Sequence, residues 1–171
     1  PSYQYNLLRL AEFTLSSGLT GKVDKAYDGN AEVDAKLDPV LTITAGKKAD
    51  EITVTAKAAY DNKDVTEGNH INVTYTVTFK DEATAGNYKY VGSGTPSGTS
   101  TLTVTETAAG KITPKTVTIT PEKDDLTKVY GEEDPDFGYT TEGLVDGDGA
   151  SITGELARDP GEDAGDYALN L

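Results

Sequence analysis

Apolar and polar residues alternate with a period of two along much of this chain. The longest run is Ile71 to Phe79. Ile71, Val73, Tyr75, Val77 and Phe79 are apolar or aromatic, and Asn72, Thr74, Thr76 and Thr78 are polar. A period of two puts one set on a core and the other in water, which predicts a half-buried strand. Shorter runs repeat the pattern at Leu41-Thr42-Ile43-Thr44, Ile52-Thr53-Val54-Thr55, Leu102-Thr103-Val104-Thr105 and Val117-Thr118-Ile119-Thr120. Buried parallel strands are apolar on both faces, so the alternation points to antiparallel sheets. Thr occurs 25 times and supplies most of the polar positions. Its β-branched side chain stiffens a strand while leaving a hydroxyl in water.

Turn chemistry separates the runs. Asp28-Gly29-Asn30, Ala45-Gly46-Lys47, Asp61-Asn62, Gly92-Ser93-Gly94, Pro96-Ser97-Gly98, Asp146-Gly147-Asp148-Gly149 and Pro160-Gly161 each supply a pre-set bend or a residue tolerant of positive φ. Their spacing is that of a sandwich or small barrel. Helix signals are weak. Leu7 to Phe13 has mixed periodicity, compatible with a short helix or a strand, and Leu144 to Ala150 has room for one helical turn.

Two halves echo each other. Lys25-Ala26-Tyr27-Asp28-Gly29 is matched by Lys128-Val129-Tyr130-Gly131-Glu132, and Ala85-Gly86-Asn87-Tyr88 by Ala164-Gly165-Asp166-Tyr167. The same order in both halves suggests one β-rich module used twice. In this position Tyr27 and Tyr130 suit a corner, the ring packed on the sheet and the hydroxyl bonded to backbone. Gly86 and Gly165 suit the bend before the next strand. We place the division near Gly110 to Pro114: residues 1–20 as a lead-in strand or the tail of a preceding unit, 21–112 as a first module, and 113–171 as a shorter second one, truncated or borrowing a strand. With a single Pro, the link is stiff.

At these residues the chain resembles two related families of bacterial cell-surface repeats. Lys22 to Ala31 resembles the YDG type. Lys128 to Pro135, Gly143 to Asp148 and Gly161 to Tyr167 resemble the MBG type, three motifs in matching order and spacing. The resemblance implies a mainly β fold, immunoglobulin-like sandwich or β-grasp, in tandem modules of large exported adhesin-like proteins. It implies no catalytic residues. The long middle of the first half, Ala31 to Asp64, departs from the commonest pattern.

Composition narrows the setting. The net charge of −14 repels nucleic acid and anionic lipid and sets copies of the chain against each other, which favours a monomer. With no Cys, disulfides, thiolate metal sites and thiol catalysis are excluded. The absence of Met marks residue 1 as other than a native start, so we expect an excised piece of a longer protein. No stretch approaches the roughly 20 apolar residues that span a bilayer, so membrane insertion is not expected.

Candidate chemistry is sparse. The single His, His70, precedes the best strand without a recognisable nucleophile and reads as a turn residue. No nucleophile elbow or phosphate-binding loop occurs. Carboxylates at Asp124-Asp125, Glu132-Glu133-Asp134, Asp136, Asp146 and Asp148 lack the aromatic platform of a sugar cleft, since there is no Trp. Asp146 and Asp148, in a Gly-bent loop, are the candidate calcium ligands, although the twelve-residue loop with a closing Glu is missing. Lys25 and Lys128 are candidates for an internal isopeptide bond to Asn or Asp.

The expectation is a non-enzymatic, extracellular structural or stalk module of a bacterial surface protein, without a cofactor, whose partners are neighbouring modules in the parent chain. One alternative is a host glycan- or protein-binding module using an exposed cluster of Tyr75, Tyr88 and Tyr90. The other is an accessory domain of a secreted enzyme.

Overall fold

The computed structural model describes residues 8–46, 48, 50–92, 99–123, 126–148 and 152–170. The turns expected at Ser93–Gly94 and 96–98, the pair Asp124-Asp125, and Lys47, Gly149, Ala150 and Leu171 lie outside them. The chain forms two units, Pro1–Thr113 and Pro114–Leu171. It is mainly β, in several small sheets.

In the first unit the strands are β1 (Ala11–Ser16), β2 (Thr20–Gly21), β3 (Asp24–Ala26), β4 (Ala35–Lys36), β5 (Val40–Ala45), β6 (Ile52–Tyr60), β7 (His70–Phe79), β8 (Tyr88–Tyr90), β9 (Thr101–Ala109) and β10 (Lys111–Thr113). A short helix, α1 (Glu82–Ala85), lies between β7 and β8. One sheet has the order β6-β7-β9 and another β5-β1-β8. Strand β7 is paired antiparallel on both sides, from Ile52↔Phe79 to Tyr60↔Ile71 with β6 and from His70↔Ala109 to Thr78↔Thr101 with β9.

The alternation sets the faces as expected. Ile71, Val73, Tyr75, Val77 and Phe79 are all buried, while Thr53, Thr55, Thr101, Thr103 and Thr105 are exposed. Both larger sheets feed one core. Phe13 of β1 meets Phe79 of β7 edge-on at 6.4 Å and Tyr90 of β8 at 5.6 Å, and Phe79 meets Tyr88 at 5.5 Å. Each fully buried large side chain contributes about 1.5–3 kcal/mol relative to exposure.

Several findings depart from the sequence expectations. Residues 11–16 are an integral strand with Phe13 fully buried, so this part of the 1–20 lead-in belongs to the first unit. Two pairings are parallel, β1 with β8 and β3 with β10. Each joins segments distant in sequence, and alternation within a strand carries no information about that partner. The helix α1 was not expected. It forms because the Thr84 amide donates to Asp81 Oδ1 at 2.7 Å, capping the N-terminus, and the Gly86 amide closes onto the Glu82 carbonyl at 3.0 Å.

The second unit contains β11 (Thr118–Pro121), β12 (Tyr139–Glu142), β13 (Ala157–Arg158) and β14 (Leu169–Asn170), forming two antiparallel pairs, β11-β12 and β13-β14. A chain segment this short has room for only a small, marginal core. Among the described residues of this unit none is buried. Its apolar residues are isolated in short pairs of strands, and two-stranded ribbons leave one face uncovered. The stretch 144–148 holds a turn, in which the Asp148 amide donates to the Val145 carbonyl at 3.0 Å.

Candidate functional site

The repeated Lys-x-Tyr motif builds the same device in both units. In the first, Lys25 Nζ donates to Asp28 Oδ1 at 2.7 Å, to the Asn30 carbonyl at 2.8 Å and to Asn30 Oδ1 at 3.0 Å. Gly29 takes φ +81°, the left-handed conformation that lets the chain curl around the ammonium. Hydrogen bonding from Lys25 holds the Asp28 carboxyl below its ordinary range. The ammonium also lies 5.3 Å over the Tyr60 ring. In the second unit, Lys128 Nζ donates to the Glu132 carbonyl at 3.0 Å and pairs with Asp134 Oδ1 at 2.8 Å, around Gly131 at φ +87°.

The second device extends into a network. Arg158 Nε donates to Asp134 Oδ1 at 2.8 Å and Nη2 to Glu162 Oε1 at 2.8 Å. Nη1 donates to the carbonyls of Asp159, at 3.1 Å, and Gly161. The guanidinium lies 5.0 Å over Tyr167, whose hydroxyl donates to the Asp163 carbonyl at 2.7 Å. The Lys128 bond, then that from Arg158, holds Asp134 low; Arg158 and then Lys128 hold Glu162 low; and Asp134 raises both cations. A groove of about 410 Å³ opens beside this network, with Leu126, Tyr130, Phe137 and Tyr167 among its walls. Tyr130 is 74 % exposed, so the expected sheet-packed corner tyrosine is not formed there. Tyr27 does pack against the first unit's core. Tyr60 makes a hydroxyl-to-backbone bond of the corner type, donating to the Val23 carbonyl.

The expected exposed cluster of Tyr75, Tyr88 and Tyr90 is overturned. All three are buried. Tyr75 shares the inward parity of β7, and Tyr88 and Tyr90 share one inward parity on β8. The Tyr88 hydroxyl reaches Asp50 Oδ2 at 3.1 Å, and that of Tyr90 donates to Glu106. Burial pushes the Tyr90 phenol up to about 12 and also raises Tyr75 and Tyr60.

His70 is the first residue of β7, where the chain leaves the turn from β6. Its amide donates to Asp61 Oδ1 at 3.0 Å, and its ring Nδ1 lies 3.2 Å from the Gly68 carbonyl. Asp146 and Asp148 flank their turn, and among the described residues no group of three His, Asp or Glu converges to hold a metal ion. Lys25 approaches Asn30 as an isopeptide bond requires. Its neighbour Asp28 is held ionised, whereas that condensation needs a protonated acid to hand a proton to departing ammonia. Arg158, Tyr60 and Glu106 were not singled out from sequence. The one available signal was that Arg158 is one of two arginines in a strongly acidic chain.

These features define a tandem of small β modules whose Lys25, Lys128 and Arg158 are bonded into the modules' own turns. The family model of the YDG domain matches residues 11–97, more than half of the chain, and that of the MBG domain (YGX type) matches residues 117–171. The chain belongs to the YDG domain family and carries an MBG domain after it. No curated protein and no solved structure matches it.

Proposed function

We propose that the chain is a non-enzymatic structural segment of an extracellular bacterial surface protein, a stalk element in which each β unit bears load. The observation that carries this reading is β7, hydrogen-bonded antiparallel along its length to β6 and β9, so that pulling it free requires breaking two ladders together. The lysine-centred turns serve the same end by fixing loops with charge-assisted bonds. Single-molecule pulling on the chain tests the reading. Two unfolding events are expected, the larger force belonging to the first unit. Extension of both units without a resolved force peak rejects it. Protease shaving of intact cells tests the location, with release of the segment expected.

A second reading, a binding module, is favoured by the groove beside Tyr130. Its size falls within the range of small-ligand pockets, about 300–1,000 Å³. A glycan and protein binding screen, repeated with Tyr130→Ala, tests it. Binding lost in the variant supports a ligand role, and no binding by the parent chain leaves the load-bearing reading.

A further inference from the structure

The outward face of the sheet β6-β7-β9 is a registered array of threonines. Pairing places Thr78 of β7 between Thr53 of β6 and Thr101 of β9, and Thr76 between Thr55 and Thr103. Both rows are threonine throughout. Thr74 and Thr105 continue the array into a third row, in which β6 supplies Lys57. The threonines of the outer strands are exposed, and Thr74 and Thr76 on the central strand are half-buried between them. Strands lie about 4.8 Å apart and alternate residues recur about 6.8 Å along each, so the side chains stand on a roughly rectangular grid. Neighbouring strands turn by about 20–25°, and with β7 at the centre of three strands that turn is one step on either side. The Thr74 and Thr105 hydroxyls are bonded to each other at 3.2 Å, which holds both rotamers ahead of any ligand.

We propose that this face binds ice. Charge and side-chain type select that ligand. A solvated face in a chain with 29 Asp and Glu would carry its share of carboxylates, yet none stands in these three rows, and Lys57 is their one charge. An ionic mineral, a nucleic acid or a charged protein surface is held by fixed charges, which the array lacks. A sugar surface is held by exposed rings, and the rings of this sheet, Tyr60, Tyr75 and Phe79, are all buried. What remains is an uncharged lattice of hydrogen-bonding oxygens. A threonine hydroxyl has one donor and two acceptor sites, so it takes the place of a water in such a lattice, while its methyl removes apolar surface from the liquid. The two repeats of the grid lie close to the oxygen repeats on the prism face of ice. Many weak bonds formed together by a face already ordered cost little further ordering, so attachment depends on the evenness of whole rows. One side chain that projects above the grid holds the lattice off. This activity is separate from load bearing, since it uses the watered face of the sheet and leaves its hydrogen-bonded ladders intact.

Growth of a single ice crystal in a solution of the whole chain, fluorescently labelled, tests this, with the gap between melting and freezing temperatures recorded alongside. Dye taken up on the prism planes and a gap that widens with chain concentration are expected. Thr103→Lys raises a charged arm above the middle row and is expected to abolish both. Thr55→Lys does the same from the other outer strand, so that if one variant fails to fold the other decides. Thr42→Lys, exposed on β5 of the other larger sheet, leaves both intact. Melting each variant in parallel separates loss of the fold from loss of the face. A chain excluded from the growing crystal, with no gap at any concentration, overturns the proposal. So does uptake that folded Thr103→Lys and Thr55→Lys retain in full.

Discussion

Tyr90 donates its hydroxyl proton to the Glu106 carboxylate inside the first unit. The fold thereby holds the phenol in its neutral form, with burial as the largest cause and the Glu106 bond next. An unfolded tyrosine titrates near 10, and the folded one at about 12. Between these values the folded chain binds more protons than the unfolded one, so stability falls as pH rises. The contribution is complete below pH 10 and is lost on the way to 12. Thermal melts from pH 9 to 12, with tyrosinate absorbance recorded alongside, are expected to show late ionisation coupled to unfolding of the first unit. Tyr90→Phe flattens that fall. At neutral pH it leaves a carboxylate without its donor, a loss of about 1–3 kcal/mol.

The core distribution sets a second expectation. Phe13 is fully buried and touches rings from both larger sheets. Phe13→Ala is expected to destabilise the first unit by about 3–5 kcal/mol. Leu169→Ala, at a half-buried position in the second unit, removes less apolar contact and costs less. Denaturant unfolding with a probe in each unit checks this. The first substitution moves one transition and the second moves the other.

How much of this was legible in the chain depends on run length. Ile71 to Phe79 is long enough for its parity to be unmistakable, and the structure buries each odd position from Ile71 to Phe79. Tyr88 and Tyr90 occupy a three-residue strand, too short for parity to reveal which side is covered. Their burial comes from Phe13, brought beside them by the parallel β1–β8 pairing, and from Phe79 of β7 in the other larger sheet. The lysine motifs were visible as a repeat, but their partners were not. Arg158 joins Asp134 from 24 residues away, through chain folding that no local pattern encodes.

Asp134→Asn separates the second unit's ionic turn from the first's. Asp134 and Glu162 are held low by Lys128 and Arg158, so their contribution is present above the unfolded carboxyl values, near pH 4, and is lost as pH falls below them. Asp134→Asn removes the carboxylate shared by both cations. It is expected to lower the melting temperature of the second unit at neutral pH, to leave the first unit unchanged, and to show little further loss on acidification. High salt shrinks the difference, because these groups lie at the surface. Calorimetry at pH 7 and pH 3 gives the comparison.

The glycines of the two repeated motifs make opposite demands. Gly131 sits at φ +87° with open space where a Cβ would stand, so Gly131→Ala meets no clash and suffers only the left-handed backbone. That costs about 1–2 kcal/mol, and Gly131→Asn, more tolerant of this region, costs less. Gly86 instead has φ −62° and ψ −13°, right-handed values that alanine adopts freely. Replacing it narrows the unfolded ensemble, and where native geometry allows the change such substitutions gain about 0.4–1 kcal/mol. A Cβ there would stand 3.4 Å from the Ala83 carbonyl oxygen, close to ordinary contact, so Gly86→Ala is expected to be neutral or stabilising. Melting both alanine variants beside the parent decides the matter. Equal losses would show that both glycines are required by their backbone, whereas a loss confined to Gly131→Ala places that requirement at the lysine-wrapped turn.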